Sequence, residues 1–153
     1  MDTTYEIQPR LSETSRDTLV FNYVTPYFIS PHQSKTLYHA GNFVFKSTDR
    51  GNHWQVISPN LAVSSIKEKK SFATGALVES KMQAGLLYAG TDRGAFWVSF
   101  DDGATWQENS SGLANNYIRS ICSSRFAKGR VYVAMTGINY DDLHTYLYVS
   151  EDH

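Results

Sequence analysis

The sequence predicts an all-β chain: a partial β-propeller of four-stranded antiparallel blades, about three of them, the last incomplete. Three observations carry this. An eight-residue box recurs, Ser47-Thr48-Asp49-Arg50-Gly51-Asn52-His53-Trp54 and, 52 residues on, Ser99-Phe100-Asp101-Asp102-Gly103-Ala104-Thr105-Trp106, both reading S-x-D-x-G-x-x-W. After a further 51 residues, Ser150-Glu151-Asp152-His153 starts the pattern again. Short apolar runs fall at the same places in every period, and four short strands per roughly 50 residues mark a propeller blade. Helical periodicity is missing, while the aromatic share of 14% suits half-buried strands.

The elements follow in order. Residues 1–17 are polar, fit no blade register and read as a linker or an extension. Blades are placed at about 18–60, 72–109 and 116–153. In each, a serine closes the first run (Tyr27–Ser30, Ala76–Ser80, Ile118–Ser124). A tyrosine eight residues later sits in the second (Leu37–Ala40, Leu86–Ala89, Val131–Ala134). The box serine ends the third (Phe43–Ser47, Phe96–Ser99, Tyr146–Ser150). A fourth run follows the box tryptophan (Trp54–Ile57, Trp106–Glu108), and the third blade lacks it. Pro, Gly, Ser and Asn separate the runs, as at Ser58-Pro59-Asn60 and Ser111-Gly112.

The box falls where the third strand turns into the fourth, and its residue types answer that turn. A tight hairpin leaves backbone N–H groups without ladder partners, and an Asp carboxylate accepts them. Asp49, Asp101 and Asp152 take that role. Gly51 and Gly103 supply a positive φ without steric cost. Trp54 and Trp106 start the outer strand and bury a ring between neighbouring sheets. Ser47, Ser99 and Ser150 hydrogen-bond near the turn. Acid–base catalysis needs two groups converging on one substrate. Groups repeated once per blade diverge around a ring, so the box aspartates read as structural.

Composition narrows the function. Fourteen basic and fifteen acidic side chains leave a net charge of −1, which gives no electrostatic footprint for nucleic acid. No stretch reaches the ~20 apolar residues that span a bilayer. Met1–Arg10 carries no apolar core of a signal peptide. One cysteine, Cys122, rules out an internal disulfide framework and reads as a small core residue. The five histidines show no paired metal spacing, and neither a metal nor a cofactor is expected. His39, between apolar neighbours, reads as packed. Lys67-Glu68-Lys69-Lys70 reads as a solvated run between blades.

These boxes resemble those of the BNR/Asp-box repeat propellers, which include sialidases, xyloglucanases and the sortilin ectodomain. The chain is most similar to large bacterial sortilin-like proteins and BNR "glycosyl hydrolases". Tyr23-Val24-Thr25-Pro26, Ser30-Pro31-His32, Phe45 to Gly51, Ile57 to Leu61, Tyr88 to Asp92, Ser124-Arg125-Phe126 and Val131 to Ala134 carry the likeness, over roughly residues 20–153. The resemblance implies a fragment of a larger ring, with the remaining blades as partners. It implies a parent that is secreted or periplasmic. It brings no catalytic residue: the arginine cluster and Arg-Ile-Pro motif of sialidases have no counterpart, and the two carboxylates of xyloglucanases do not map onto this chain.

Function concentrates on loops carried by a rigid scaffold. From blade tyrosine to box serine the separations are 9, 11 and 18 residues, so the third blade holds an insertion around Gly137–Thr145. Asn139, Tyr140, Asp141, Asp142 and His144 are its candidate binding residues. Asp92 and Arg93, in the equivalent hairpin of the second blade, join them; a solvated long hairpin is the plain structural reading of the insertion, and an Asp-x-Gly turn that of Asp92 and Arg93. Two functions follow: a scaffold or binding module for protein, peptide or glycan, or part of a carbohydrate-active glycoside hydrolase whose catalytic carboxylates lie mostly elsewhere.

Overall fold

The computed structural model describes residues 4–62 and 72–153, so the charge run Lys67-Glu68-Lys69-Lys70 lies outside the described residues. Three antiparallel sheets follow one another along the chain. The first holds β1 (Tyr27–Ile29), β2 (Leu37–Ala40), β3 (Val44–Ser47) and β4 (Gln55–Val56) in sequential order. The second repeats this with β5 (Thr74–Glu79), β6 (Leu87–Thr91), β7 (Phe96–Ser99) and β8 (Gln107–Glu108). The third has three strands, β9 (Tyr117–Ser123), β10 (Val131–Gly137) and β11 (Asp142–Ser150). The chain is a partial β-propeller: meandering four-stranded sheets, the third lacking its outer strand among the described residues. Among the described residues no helix is long and apolar enough to cross a membrane.

Strand alternation explains how the sheets stack. In β6, Leu87 and Ala89 face the first sheet, where they meet Tyr38, Ala40 and Val44, with Leu77 of β5 beside them in the same core. Tyr88 faces the third sheet and meets Ile118, Val131 and Val133. Every residue of β6 is buried, because both faces of its sheet are covered. Each gap between sheets is therefore one apolar core, and each large side chain sealed in it contributes roughly 1.5–3 kcal/mol. Close approach needs small residues: a Cβ on Gly90 would lie 2.3 Å from Ile118 Cγ2.

The box closes each β3–β4 and β7–β8 turn with the same bonds. Ser47 Oγ accepts the Gly51 N–H at 2.8 Å and donates to Asp49 Oδ1 at 2.8 Å, while His53 N–H donates to that oxygen at 2.9 Å. Ser99, Gly103, Asp101 and Thr105 reproduce this at 2.8, 2.9 and 2.8 Å. Two successive residues take positive φ, Arg50 (65°) with Gly51 (90°) and Asp102 (61°) with Gly103 (90°). The serine is thus the acceptor for the glycine amide, and the aspartate for the amide two residues beyond it. In the third box Ser150 Oγ donates to Asp152 Oδ1 at 2.9 Å. The tryptophan locks one sheet to chain that precedes it: Trp106 Nε1 donates to the Ile57 carbonyl at 2.7 Å, and Trp54 Nε1 to the Ile7 carbonyl at 2.7 Å.

One expectation needs correction. Cys122 is exposed, not a core residue. The register between β9 and β10 shifts at Ala134/Met135, where Ser120 and Ile118 are the successive partners and Arg119 is the extra residue. Such a bulge reverses which residues point inward, so the apolar run Ile118–Cys122 changes face within itself. The 137–145 insertion is a long hairpin, its plain structural reading. β10 continues to Gly137, a single 3-10 turn covers Ile138–Tyr140, and β11 starts at Asp142. The extra residues lengthen a hairpin, since Thr136↔Thr145 and Met135↔Tyr146 continue the ladder. Residues 4–17 form no strand, and the Ile7 carbonyl receives the Trp54 indole as the Ile57 carbonyl receives that of Trp106.

Candidate functional site

The side of the sheets opposite the boxes carries the β6–β7 and β10–β11 hairpins, and the structure brings their tips together. In the β6–β7 hairpin Thr91 N–H donates to Ala95 O at 2.9 Å, and Gly94, at φ 88°, turns the chain. A Cβ on Gly94 would lie 2.8 Å from Ala114 O and 3.1 Å from Asn116 N, so this hairpin sits against the entry into β9. The Arg93 guanidinium lies over the Phe72 ring at 4.1 Å and over the Tyr140 ring at 5.9 Å. Arg93 is thus a bridge between second and third sheets, packed between two aromatic faces.

Asp92 lies beneath it. Its backbone N–H donates to Ala73 O at 3.1 Å and its Oδ2 accepts the Ala73 N–H at 3.3 Å. Oδ1 is buried with no hydrogen-bond partner among the described residues. Burial pushes the Asp92 carboxyl above the usual carboxylate range, against the Ala73 amide and the Arg93 charge. Asn42 holds the equivalent place in the first sheet, where it is satisfied. It accepts the Val20 N–H at 2.8 Å and donates to Thr18 O at 3.0 Å.

Asp142 organises the neighbouring hairpin. It accepts the Tyr146 hydroxyl at 2.7 Å, the His144 N–H at 3.0 Å and the Asn116 amide at 3.2 Å, and pairs with His144 Nδ1 at 2.7 Å. The Tyr146 hydroxyl first, and then His144, hold its carboxyl well below the ordinary value. Asp141 adopts φ 57° at the turn. Asn139 and Asp141 are exposed, as is Tyr140 at 50%. Of the seven residues singled out by sequence, Asp92, Arg93 and Tyr140 meet in one cluster. Asp142 and His144 form a second centre, tied to the first through Asn116 and the β9 entry. Phe72, Asn116 and Tyr146 were missed by sequence reasoning. Phe72 and Asn116 lie in the interblade connections, where no periodic pattern marks them.

Elsewhere, a cleft of about 680 Å³ on the box side is lined by Lys46, Trp54, Ile57, Asp101 and Gly103. A second of about 670 Å³, lined by Asn109, Leu113, Tyr148, Ser150 and Asp152, lies one blade on. The two share only a few equivalent positions, such as Ile57 with Asn109 and Asp101 with Asp152. A polar seam unseen in the sequence joins the first two sheets. Buried Glu79 accepts the Ser30 hydroxyl at 2.6 Å and the Gly85 N–H at 2.8 Å. Beside it the Tyr38 hydroxyl donates to Asp102 Oδ1 at 2.9 Å, and Lys46 pairs with Asp102. His39 is half-buried, edge-on to Phe21 at 5.2 Å, and burial lowers its pKa.

No family model and no curated protein matches the chain. Solved structures do. The crystal structure of the Niastella koreensis GH74 enzyme is similar with a TM-score of 0.55 and 18% identity, over 82% of this chain and 21% of that one. The structure of YCF48 bound to D1 peptide is similar with a TM-score of 0.53 and 10% identity, over 88% of this chain and 44% of that one. Both are β-propellers, and at these identities the likeness speaks for the fold alone. This chain spans about a fifth of the first and less than half of the second.

Proposed function

We propose that this chain is part of a sortilin-like Asp-box propeller that binds peptide, protein or glycan on the side where the β6–β7 and β10–β11 hairpins meet. The observation that supports this is the cluster of Arg93 over Phe72 and Tyr140, with the half-buried Asp92 beneath. Aromatic faces suit the apolar face of a sugar ring or a peptide side chain, and Arg93 packs against two of them. The remaining blades of a ring, supplied from beyond this chain, complete the pocket. The YCF48 structure, a propeller with a bound peptide, is a precedent for the fold in this use. The test is a chemical-shift titration with two probes, a carboxylate-terminated peptide panel and a β-glucan oligosaccharide series. Shifts centred on Arg93 and Tyr140, lost in Tyr140→Ala, are expected. Shifts confined to the box side would overturn the assignment.

One observation favours a second reading, part of a glycoside hydrolase. A general acid needs a carboxyl raised by burial, and Asp92 has one. The propeller of the GH74 enzyme makes the scaffold compatible. Reducing ends released from β-glucan in proportion to protein, and lost in Asp92→Asn, would favour it over binding alone. With about three blades and no converging pair of carboxylates among the described residues, this chain by itself is expected to release none.

A further inference from the structure

The two seams between neighbouring sheets are built from equivalent positions, and on the box side their chemistry differs. In the seam between the second and third sheets Val98 opposes Tyr88 across the ladder, and the Tyr88 hydroxyl meets His153 Nδ1 at 2.8 Å. In the seam between the first and second, Lys46 stands in the place of Val98 and opposes Tyr38, and Asp102 stands in that of His153 as the fourth box residue. Glu79 takes the place of Ser123 before the serine that ends the first run, and His32 that of Met82 two residues after this serine. The neutral positions Val98, Ser123 and Met82 thus correspond to the ionisable Lys46, Glu79 and His32. The second seam packs without these groups, so the repeat does not account for them.

These groups line one crevice of about 180 Å³ between the two sheets. Glu79 is 2% exposed; its Oε2 accepts the Ser30 hydroxyl at 2.6 Å and its Oε1 the Gly85 N–H at 2.8 Å. Asp102 is engaged twice, by the Tyr38 hydroxyl at 2.9 Å and by Lys46. Burial first, then the bond to Asp102 and the charge of Glu79, push the Tyr38 hydroxyl above its ordinary pKa, so both carboxylates act on that one hydroxyl. Two bonds leave about half of the lone-pair sites of the Glu79 carboxylate unfilled. Among the described residues the Lys46 ammonium spends a single donor, on Asp102, and keeps the rest. The crevice therefore presents one carboxylate and one ammonium with bonds to give, not a pair of acids.

Charge decides what fits. An anion meets the Glu79 carboxylate, and a cation meets the Lys46 ammonium. A neutral group that both donates and accepts suits the two together, and adjacent hydroxyls do this. One donates to Glu79 and its neighbour accepts from Lys46, both as charge-assisted bonds. The volume is below the roughly 300–1,000 Å³ of drug-sized sites, which leaves room for one ring. Lys46 and Asp102 also line the cleft of about 680 Å³ that reaches Trp54 and Pro59, so a substituent on the ring continues outward. We propose that this crevice is a second binding site, on the side away from the Arg93 cluster, for one neutral sugar ring, free or at the end of a glycan, whose adjacent hydroxyls bridge Glu79 and Lys46. The site stands on groups of its own and is independent of the Arg93 cluster.

Amide chemical shifts of the 153-residue chain, followed in titrations with D-glucose, D-galactose, D-mannose, cellotriose and glycerol, test this. Saturable shifts at Gly85 and Asp102 with at least one sugar, at the millimolar affinity of a single small ring, are expected. Glycerol, which must be ordered to present the same hydroxyls, gives none at that concentration. The free hexoses and cellotriose separate a lone ring from a glycan end. Lys46→Val installs the residue of the second seam, so the sheet still folds, and it weakens binding about tenfold. Glu79→Gln weakens it likewise, and Lys46→Val decides alone should that variant not fold. No saturable shift at Gly85 and Asp102 with any of the sugars overturns the proposal, even where Arg93 and Tyr140 respond. Equal shifts with glycerol overturn it too, since the crevice then takes any hydroxyl, as does an affinity unchanged by Lys46→Val.

Discussion

Ser99→Ala asks whether the box serine carries stability, and the same letter elsewhere in the chain supplies the control. Ser99 is 1% exposed, and its Oγ accepts the buried Gly103 N–H at 2.8 Å. Removing Oγ leaves that amide without a partner where water does not reach. An orphaned buried donor costs about 1–3 kcal/mol. The bond from Ser99 to Asp101 is lost as well, but that carboxylate is open to solvent and water replaces it. For a domain of this size each kcal/mol moves the melting temperature by about 3 °C, so the loss is about 3–9 °C. Ser150→Ala is the control. Half-buried Ser150 bonds to the exposed Asp152 and serves no buried glycine amide among the described residues, so its replacement stays within about 0.5 kcal/mol. Urea unfolding followed by circular dichroism measures both, with unchanged slope and shifted midpoint for Ser99→Ala. Equal midpoints for the two variants would refute the assignment of the serine as the acceptor that holds the turn.

Three further outcomes are expected. A methyl group added at Gly112 (φ 82°) would meet nothing within 4 Å, while a Cβ on Gly103 (φ 90°) meets Ile57 at 2.6 Å; Gly112→Ala costs about 1 kcal/mol of backbone strain, Gly103→Ala clearly more, and equal melting temperatures would contradict the packing. The Asp49 carboxyl, held down to about 2 from 3.8 chiefly by its bond to His53, lies below its unfolded value, so its stabilisation is present above pH 3.8 and is lost as pH falls towards 2. A carboxyl NMR titration with its midpoint near 3.8 would show that those bonds do not persist in solution. Trp54→Phe removes the indole donor to Ile7 O; it frees the N-terminal segment, and trypsin cleavage after Arg10 accelerates at least severalfold, whereas an unchanged rate would mean that other contacts hold it.

Much of this architecture is legible in the residues because it repeats. Asp49 and Asp101 stand at the same offset before a glycine and a tryptophan, and a turn that recurs needs the same acceptors and the same positive φ each time. The site was legible only in part. Arg93 and Asp92 stood out as a hairpin and Tyr140 as a member of a longer one, but nothing in the spacing says that they meet. Phe72 and Asn116, in connections without a period, were invisible. Cys122 was misread because a single extra residue, Arg119, reverses the alternation on which inward and outward assignments rest.

Local chemistry accounts for the division. The residues alone carried what short-range rules control: strands from alternation, turns from Asp, Gly and Ser, and the blade from its period. Tertiary structure decided what depends on which surfaces are brought together. It left Asp92 partly desolvated beneath Arg93, placed buried Glu79 between two sheets, and set Ile7 against Trp54 across 47 residues of chain. Burial and partner choice are properties of the packed sheets, and a carboxylate or a carbonyl acquires them only when chain distant in sequence closes over it.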